Sequence, residues 1–169
     1  MTFFEIDPEV VRVARNPKLF TYLADSDATI ETVVGDGRLG LAKAGTGSFD
    51  MIVLDAFSSD AIPVHLLTEE AIRTYMDRLA PDGLLVVHIS NRVFDLEPVL
   101  ASAAERLGLS AVTRHGDGGT GGATPSDWVA LGRDASDVAP LSALPGWRDL
   151  DARRVHWTDD YSSILSVLQ

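Results

Sequence analysis

The chain has 169 residues, 46% hydrophobic and 23% charged, as expected of one soluble domain with a core of its own. A formal net charge of −11 argues against nucleic acid or an anionic membrane as partner, since both are bound through basic patches, and it leaves room for a cationic substrate. With no cysteine there is no disulfide, thiolate nucleophile or cysteine-ligated metal; with neither a long apolar run nor a signal-peptide pattern, a cytoplasmic location is expected.

Thr2 to Ile6 is a short β-rich run, and Asp7-Pro8 opens a helix with a capping carboxylate and a first-turn proline. Val10, Val11, Val13 and Ala14 give that helix an apolar stripe that Asn16-Pro17 interrupts. Ala28 to Val34 reads as a second strand, ending at Gly35-Asp36-Gly37, with a short helix over Leu39 to Ala44. Phe49 to Leu54 is nearly all apolar and predicts a strand buried on both faces. Thr68 then leads a helix over Glu69 to Leu79, ended by Pro81-Asp82-Gly83, and Leu84 to Ile89 is a fourth buried strand. Glu97 to Leu107 is a helix stopped by Gly108. Leu109 to Arg114 and Trp128 to Gly132 are two more strands, joined by the loop His115 to Asp127, so they form an antiparallel edge. The glycines from Gly116 to Gly122 do not link a strand to a helix and read as loop, not as a phosphate cradle. Asp134 to Asp151 reads as an irregular tail, and Asp159 to Leu168 as a short closing helix.

This alternation predicts an α/β fold with a Rossmann-like sheet of the class I methyltransferase type, mostly parallel, in a single domain over residues 1–169. Ligands bind such sheets at the carboxyl ends of their strands, which singles out Asp55 at the end of the third strand and Asp60 in the loop after it. Read with Glu5, Asp7 and Gly35-Asp36-Gly37, these residues suggest a nucleoside-type ligand beside an acidic pocket for a cationic amine. Each has a structural alternative: Asp55 as a loop cap, Asp60 as a turn residue, Glu5 as a solvated strand-end acid and Asp36 as a helix cap. His88 reads as a hydrogen-bonded core residue, and His65, His115 and His156 show no metal-ligand spacing. Asn91 falls at the ligand face, and Trp128, Trp147 and Trp157 read as packing residues.

Five blocks, Phe4-Glu-Ile-Asp-Pro8, Gly35-Asp36, Leu54 to Leu67, His88-Ile-Ser-Asn-Arg92 and Trp157 to Ser162, resemble the spermidine synthase-like aminopropyltransferases, especially the branch fused to membrane transporter domains. The resemblance implies aminopropyl transfer from decarboxylated S-adenosylmethionine, as co-substrate, to a diamine such as putrescine. It implies that Asp55 accepts the amine proton and that Glu5 holds the ribose hydroxyls. Asp36, with Gly35 and Gly37 letting the backbone approach, would meet the adenine, and Asp60, Asp159 and Tyr161 would face the amine, with Asp160 beside them. The leaving group is a neutral thioether, so no metal is required.

Members of that family place a strand and a glycine-rich loop before the Glu-Ile-Asp strand, whereas this chain starts at Met1 with neither. An amino-terminally truncated domain is therefore expected, with a gap or re-pairing in its sheet, and it would be marginal or would recruit a strand from another chain as a homo-oligomer. The loop aspartates Asp55 and Asp60 are also five apart, where the family spaces them three apart. A sulfonium methyltransferase and a catalytically silent interaction module are the alternatives on the same scaffold.

Overall fold

A computed structural model of the chain describes residues 1–56, 63–119, 124–150 and 155–168. Its contacts divide it into two compact units, Met1–Ala44 and Gly45–Gln169. Among the described residues no helix is long and apolar enough to cross a membrane.

In the first unit β1 (Thr2–Glu5) and β2 (Glu31–Val34) pair in parallel, with Glu5 opposite Val34. Only Glu31–Val34 of the expected second strand is strand, matching the four residues that β1 offers. Helix α1 (Pro8–Ala14) is capped by Asp7, whose side chain accepts the Glu9 N–H at 2.8 Å. Helix α2 (Gly37–Ala42) is capped by Asp36, which accepts the Leu39 N–H at 2.8 Å. Gly40 lies against the Phe4 ring, where an added Cβ would come within 2.5 Å of a ring carbon, so only glycine fits there.

The second unit holds a five-stranded sheet in the order β3-β4-β6-β5-β7 and carries most of the core. Strand β3 (Phe49–Leu54) is parallel to β4 (Leu79–His88), and β6 (Ser126–Gly132) runs antiparallel to both β4 and β5 (Ser110–Gly116). A third antiparallel pairing adds β7 (Trp147–Asp149) beyond β5. Helices α3 (Glu69–Arg78) and α4 (Glu97–Leu107) bury their apolar stripes, and α4 ends at Gly108 in the left-handed conformation with φ 67°, as predicted. Leu67, Ile72, Tyr75, Leu85, Val87, Leu100, Val129 and Leu131 are fully buried, and each aliphatic side chain among them contributes about 1.5 to 3 kcal/mol. The result is the expected α/β class, with parallel pairs followed by an antiparallel continuation.

Four expectations are corrected. Strand β3 is not buried on both faces: Ile52 is buried, but Met51 and Val53 are 55% and 56% exposed, because β3 is the edge of its sheet and pairs with β4 alone. Pro81-Asp82-Gly83 does not separate helix from strand. β4 starts at Leu79 and runs through those residues, which are absorbed by a bulge where the register passes from Phe49–Leu79 to Met51–Leu84. Asp134 to Asp151 is not irregular, since it holds α5 (Ala135–Ser142) as well as β7. The Asp137 carboxylate accepts the Asp134 N–H at 2.9 Å, and Val138 packs on Val112 and Ala130, which outweighs the backbone bond lost at Pro140. Finally, the closing helix shrinks to a 3₁₀ turn at Ile164–Val167, because Thr158 and Tyr161 close a separate turn ahead of it. Of the glycine-rich stretch, Gly116 ends β5 and residues 120–123 lie outside the described residues.

Candidate active site

Within the first unit the parallel pairing puts Glu5 and the Gly35-Asp36-Gly37 turn at one end of the β1–β2 sheet. Gly35 takes φ 144°, a conformation that glycine tolerates, and donates its N–H to the Glu5 carbonyl at 2.9 Å. The Glu5 carboxylate accepts the Asp7 N–H at 2.9 Å through Oε1. Both acids named from the sequence thus stand together at the carboxyl ends of two adjacent parallel strands. Asp36 does the structural work of a cap.

In the second unit the site centres on Asp55, the residue just past β3. Because Leu54 is paired with Val87, the next residues on the two strands, Asp55 and His88, fall side by side. His88 Nδ1 lies 2.8 Å from Asp55 Oδ1, and His88 Nε2 lies 2.7 Å from Ser90 Oγ. On its other side β4 pairs with β6, where His88 stands opposite Trp128 and the two rings stack with centroids 4.7 Å apart. Ser90 Oγ also accepts the Asp127 backbone N–H at 2.7 Å. The histidine is a hydrogen-bonded residue, as the sequence suggested, but its partner is the candidate base and its side chain is 22% exposed.

Asp60 lies outside the described residues. Asp159 is at the start of α3: its Oδ1 accepts the Thr68 hydroxyl at 2.7 Å, and its N–H donates to Glu70 at 3.0 Å. Tyr161 is exposed, with its backbone closed onto Thr158, and Trp157 is buried as a packing residue. Asn91 accepts the Val93 and Phe94 N–H groups through Oδ1, while its buried Nδ2 has no partner among the described residues.

Asn91 also lines a cleft of about 230 Å³ with Glu97, His115, Asp127 and Arg148. Here sequence reasoning missed a network. Glu97, buried at the start of α4, receives Arg148 at 3.1 and 3.0 Å, Thr113 at 3.3 Å and His115 at 3.0 Å, and His115 reaches Asp127 at 2.9 Å. No local spacing announces it, because its members come from four separate elements. Glu69 at the start of α3 forms a second cluster with Arg106 at 2.7 Å, Arg73 at 2.9 Å and His156 at 3.0 Å. The Arg106 hydrogen bond holds its carboxyl below the ordinary glutamate value, helped by His156 and Arg73 and opposed by desolvation.

No family model matches the chain. A polyamine aminopropyltransferase of Vibrio vulnificus (strain CMCP6) is 32% identical over 101 residues, covering 57% of this chain and 32% of that protein. Another, of Nitrosomonas europaea, is 29% identical over 160 residues, covering 88% of this chain and 45% of that protein. Among solved structures, a probable spermidine synthase from Corynebacterium glutamicum ATCC 13032 superimposes with a TM-score of 0.60 at 18% identity, over 94% of this chain and 64% of that one. The chain thus resembles polyamine aminopropyltransferases in sequence and a spermidine synthase in fold. The fold is shared with methyltransferases too: human methyltransferase-like protein 13, solved with SAH, matches with a TM-score of 0.53 at 18% identity, over 88% and 73% of the two chains. The chain spans less than half the length of the curated relatives it matches, and those matches do not single out a transporter-fused branch.

Proposed function

We propose that this chain transfers an aminopropyl group from decarboxylated S-adenosylmethionine to a diamine such as putrescine, with Asp55 as the proton acceptor. The observation that supports this most directly is the Asp55 carboxylate. It stands at the carboxyl end of a parallel strand, its side chain is 58% exposed, His88 holds Oδ1, and nothing among the described residues bonds Oδ2. An exposed oxygen beside an anchored one suits a group that must receive a proton.

The amine arrives as an ammonium ion. Asp55 takes one of its protons, and the freed lone pair forms the new N–C bond at the carbon next to the sulfonium. The C–S bond breaks and its electron pair stays on sulfur, releasing neutral 5′-methylthioadenosine. Under this reading Glu5 accepts from the ribose hydroxyls through the oxygen that Asp7 leaves open. Asp36 accepts from the adenine amino group while Gly35 and Gly37 admit the ring. Asp60 and Tyr161 face the amine, and Asp159 keeps the segment bearing Tyr161 seated on α3. Under this reading residues 1–169 act as a single domain.

The test is a thermal melt with and without millimolar 5′-methylthioadenosine, followed by product analysis with decarboxylated S-adenosylmethionine and putrescine. A ligand at one hundred times its dissociation constant adds about 2.7 kcal/mol of stability, so the midpoint rises by several degrees. Spermidine and 5′-methylthioadenosine are the expected products, and Asp55→Asn lowers kcat by about 10² to 10⁴. A cooperative melt that does not move, with no spermidine formed, overturns the reading. A methylated product from S-adenosylmethionine replaces it with a methyltransferase.

A further inference from the structure

We infer that His88 is the positioning residue of the catalytic base: it holds Asp55 through one oxygen, in a hydrogen-bonded chain that Ser90 and the Asp127 backbone orient, and it thereby sets which oxygen meets the amine. The inference rests on the aminopropyl-transfer reading and adds to it a residue that never touches substrate.

The directions of the chain follow from what each atom can give. The Asp127 backbone N–H can only donate, and it points at Ser90 Oγ at 2.7 Å. Ser90 keeps its hydroxyl proton, and His88 Nε2 at 2.7 Å is placed to accept it. A proton on Nδ1 then faces Asp55 Oδ1 at 2.8 Å, where an ionised carboxylate has only acceptors. The neutral His88 tautomer is thus set by the carboxylate, which can only accept, and Ser90 is placed to match it. Imidazole orientation is fixed as well, because the ring is stacked on Trp128 with an interplanar angle of 28°. Asp127 is itself anchored by its carbonyl, which accepts the Ile89 N–H at 2.8 Å, so Ser90 and Asp127 lock together across β4 and β6.

Asp55 needs this support. It lies past the last residue of an edge strand, and its own side chain is more than half exposed. Left alone, such a carboxylate would sample several rotamers, and each departure from the productive pose costs rate. His88 removes that freedom from the end of β4, a strand paired on both sides, and leaves Oδ2 as the oxygen available for the ammonium. In this chain the base is therefore a carboxylate–imidazole–hydroxyl unit and not an isolated aspartate.

Two arms test this. In the first, steady-state kinetics with putrescine are measured for wild type, His88→Ala, His88→Gln and His88→Asn. The Asn amide nitrogen can take the place of Nδ1, whereas the Gln amide lies one carbon further out. Expected are a loss in kcat of about 10 to 100-fold for Ala and Gln with a much smaller change in KM, and recovery to within about threefold for Asn. Melting curves of all four confirm folding. Equal kcat for Ala and wild type, or equal losses for Asn and Gln, overturns the inference. In the second arm, nitrogen-15 NMR reads the His88 tautomer without turnover. The Nδ1–H form is expected in wild type, with Nε2–H gaining population in Asp55→Ala, and a wild type already in the Nε2–H form overturns the inference. If wild type forms no spermidine, the aminopropyl reading fails by itself and the NMR arm still decides whether His88 holds Asp55.

Discussion

Thr68 and Asp159 are 91 residues apart in sequence, yet the Thr68 hydroxyl donates to the Asp159 carboxylate at 2.7 Å, while its oxygen accepts the Ala71 N–H at 3.2 Å. One buried hydroxyl therefore starts helix α3 and ties the carboxyl-terminal segment to it. Thr68→Ala loses both bonds, and the cap alone is worth about 0.5 to 2 kcal/mol. Asp159→Ala loses the tie and keeps the cap. Urea unfolding of the two single variants and the double variant is expected to show non-additivity of about 0.5 kcal/mol or more, as for contacting groups. Strict additivity would mean that the hydrogen bond carries no coupling.

Glu69 makes stability depend on acid pH. Its carboxyl sits below the ordinary glutamate value, chiefly through Arg106, so in mildly acidic solution the unfolded chain binds a proton that the folded chain does not. The contribution is complete above the unfolded value and is lost as pH falls through the lowered folded one. Glu69→Gln is expected to be less stable than wild type at pH 7 and to have a flatter stability profile below about pH 4.5, the ordinary value for this group. Unfolding midpoints from pH 7 to pH 3 check this. Parallel profiles for the two proteins would contradict it.

The parts of the fold that were legible from sequence are those written in local chemistry. Asp7-Pro8, Thr68 and Gly108 each mark a helix boundary through their own backbone or side-chain bonds, and the structure keeps all three. The illegible parts depend on distant partners. Nothing near Phe49 to Leu54 tells that β3 is an edge, because an apolar run reads the same in either place. Pro140 and Pro145 masked α5 and β7, whose existence depends on packing against β5 and β6. At the site Asp55 was visible from its place after a strand, but the partnership with His88 needed the β3–β4 register, which no local pattern fixes.

Arg133 closes the junction that the sequence misassigned. Its guanidinium donates to the Ala80 carbonyl at 2.5 Å, to the Leu79 carbonyl at 3.0 Å and to that of Met76. These are carbonyls from the last turn of α3 and the first residues of β4. Arg133→Ala removes these donors at about 1 to 3 kcal/mol in total, and Arg133→Lys, with one point of charge in place of a planar fork, recovers only part. Thermal melts rank wild type above Lys above Ala. A lysine variant equal to wild type would show that the charge alone suffices.

The Glu97–Arg148 pair is expected to respond asymmetrically. Glu97 has 8% of its side chain exposed and Arg148 has 45%, so the two partners differ in what happens when the other is removed. Arg148→Ala takes from a buried carboxylate its arginine, leaving Thr113 and His115 among the partners that meet it, and breaking such a pair from its exposed side leaves the costly member undercompensated, at about 3 kcal/mol. Glu97→Gln removes charge but keeps shape and a carbonyl acceptor, and the freed guanidinium can turn to water, at about 1 kcal/mol. Strand β7 has three residues, and Arg148 is its middle one, paired with Thr113 of β5, so the arginine variant also loosens that edge. Urea unfolding is expected to place Arg148→Ala below Glu97→Gln, with hydrogen exchange rising first at Trp147 to Asp149. The reverse order would mean that desolvating Glu97, and not pairing it, dominates this corner of the fold.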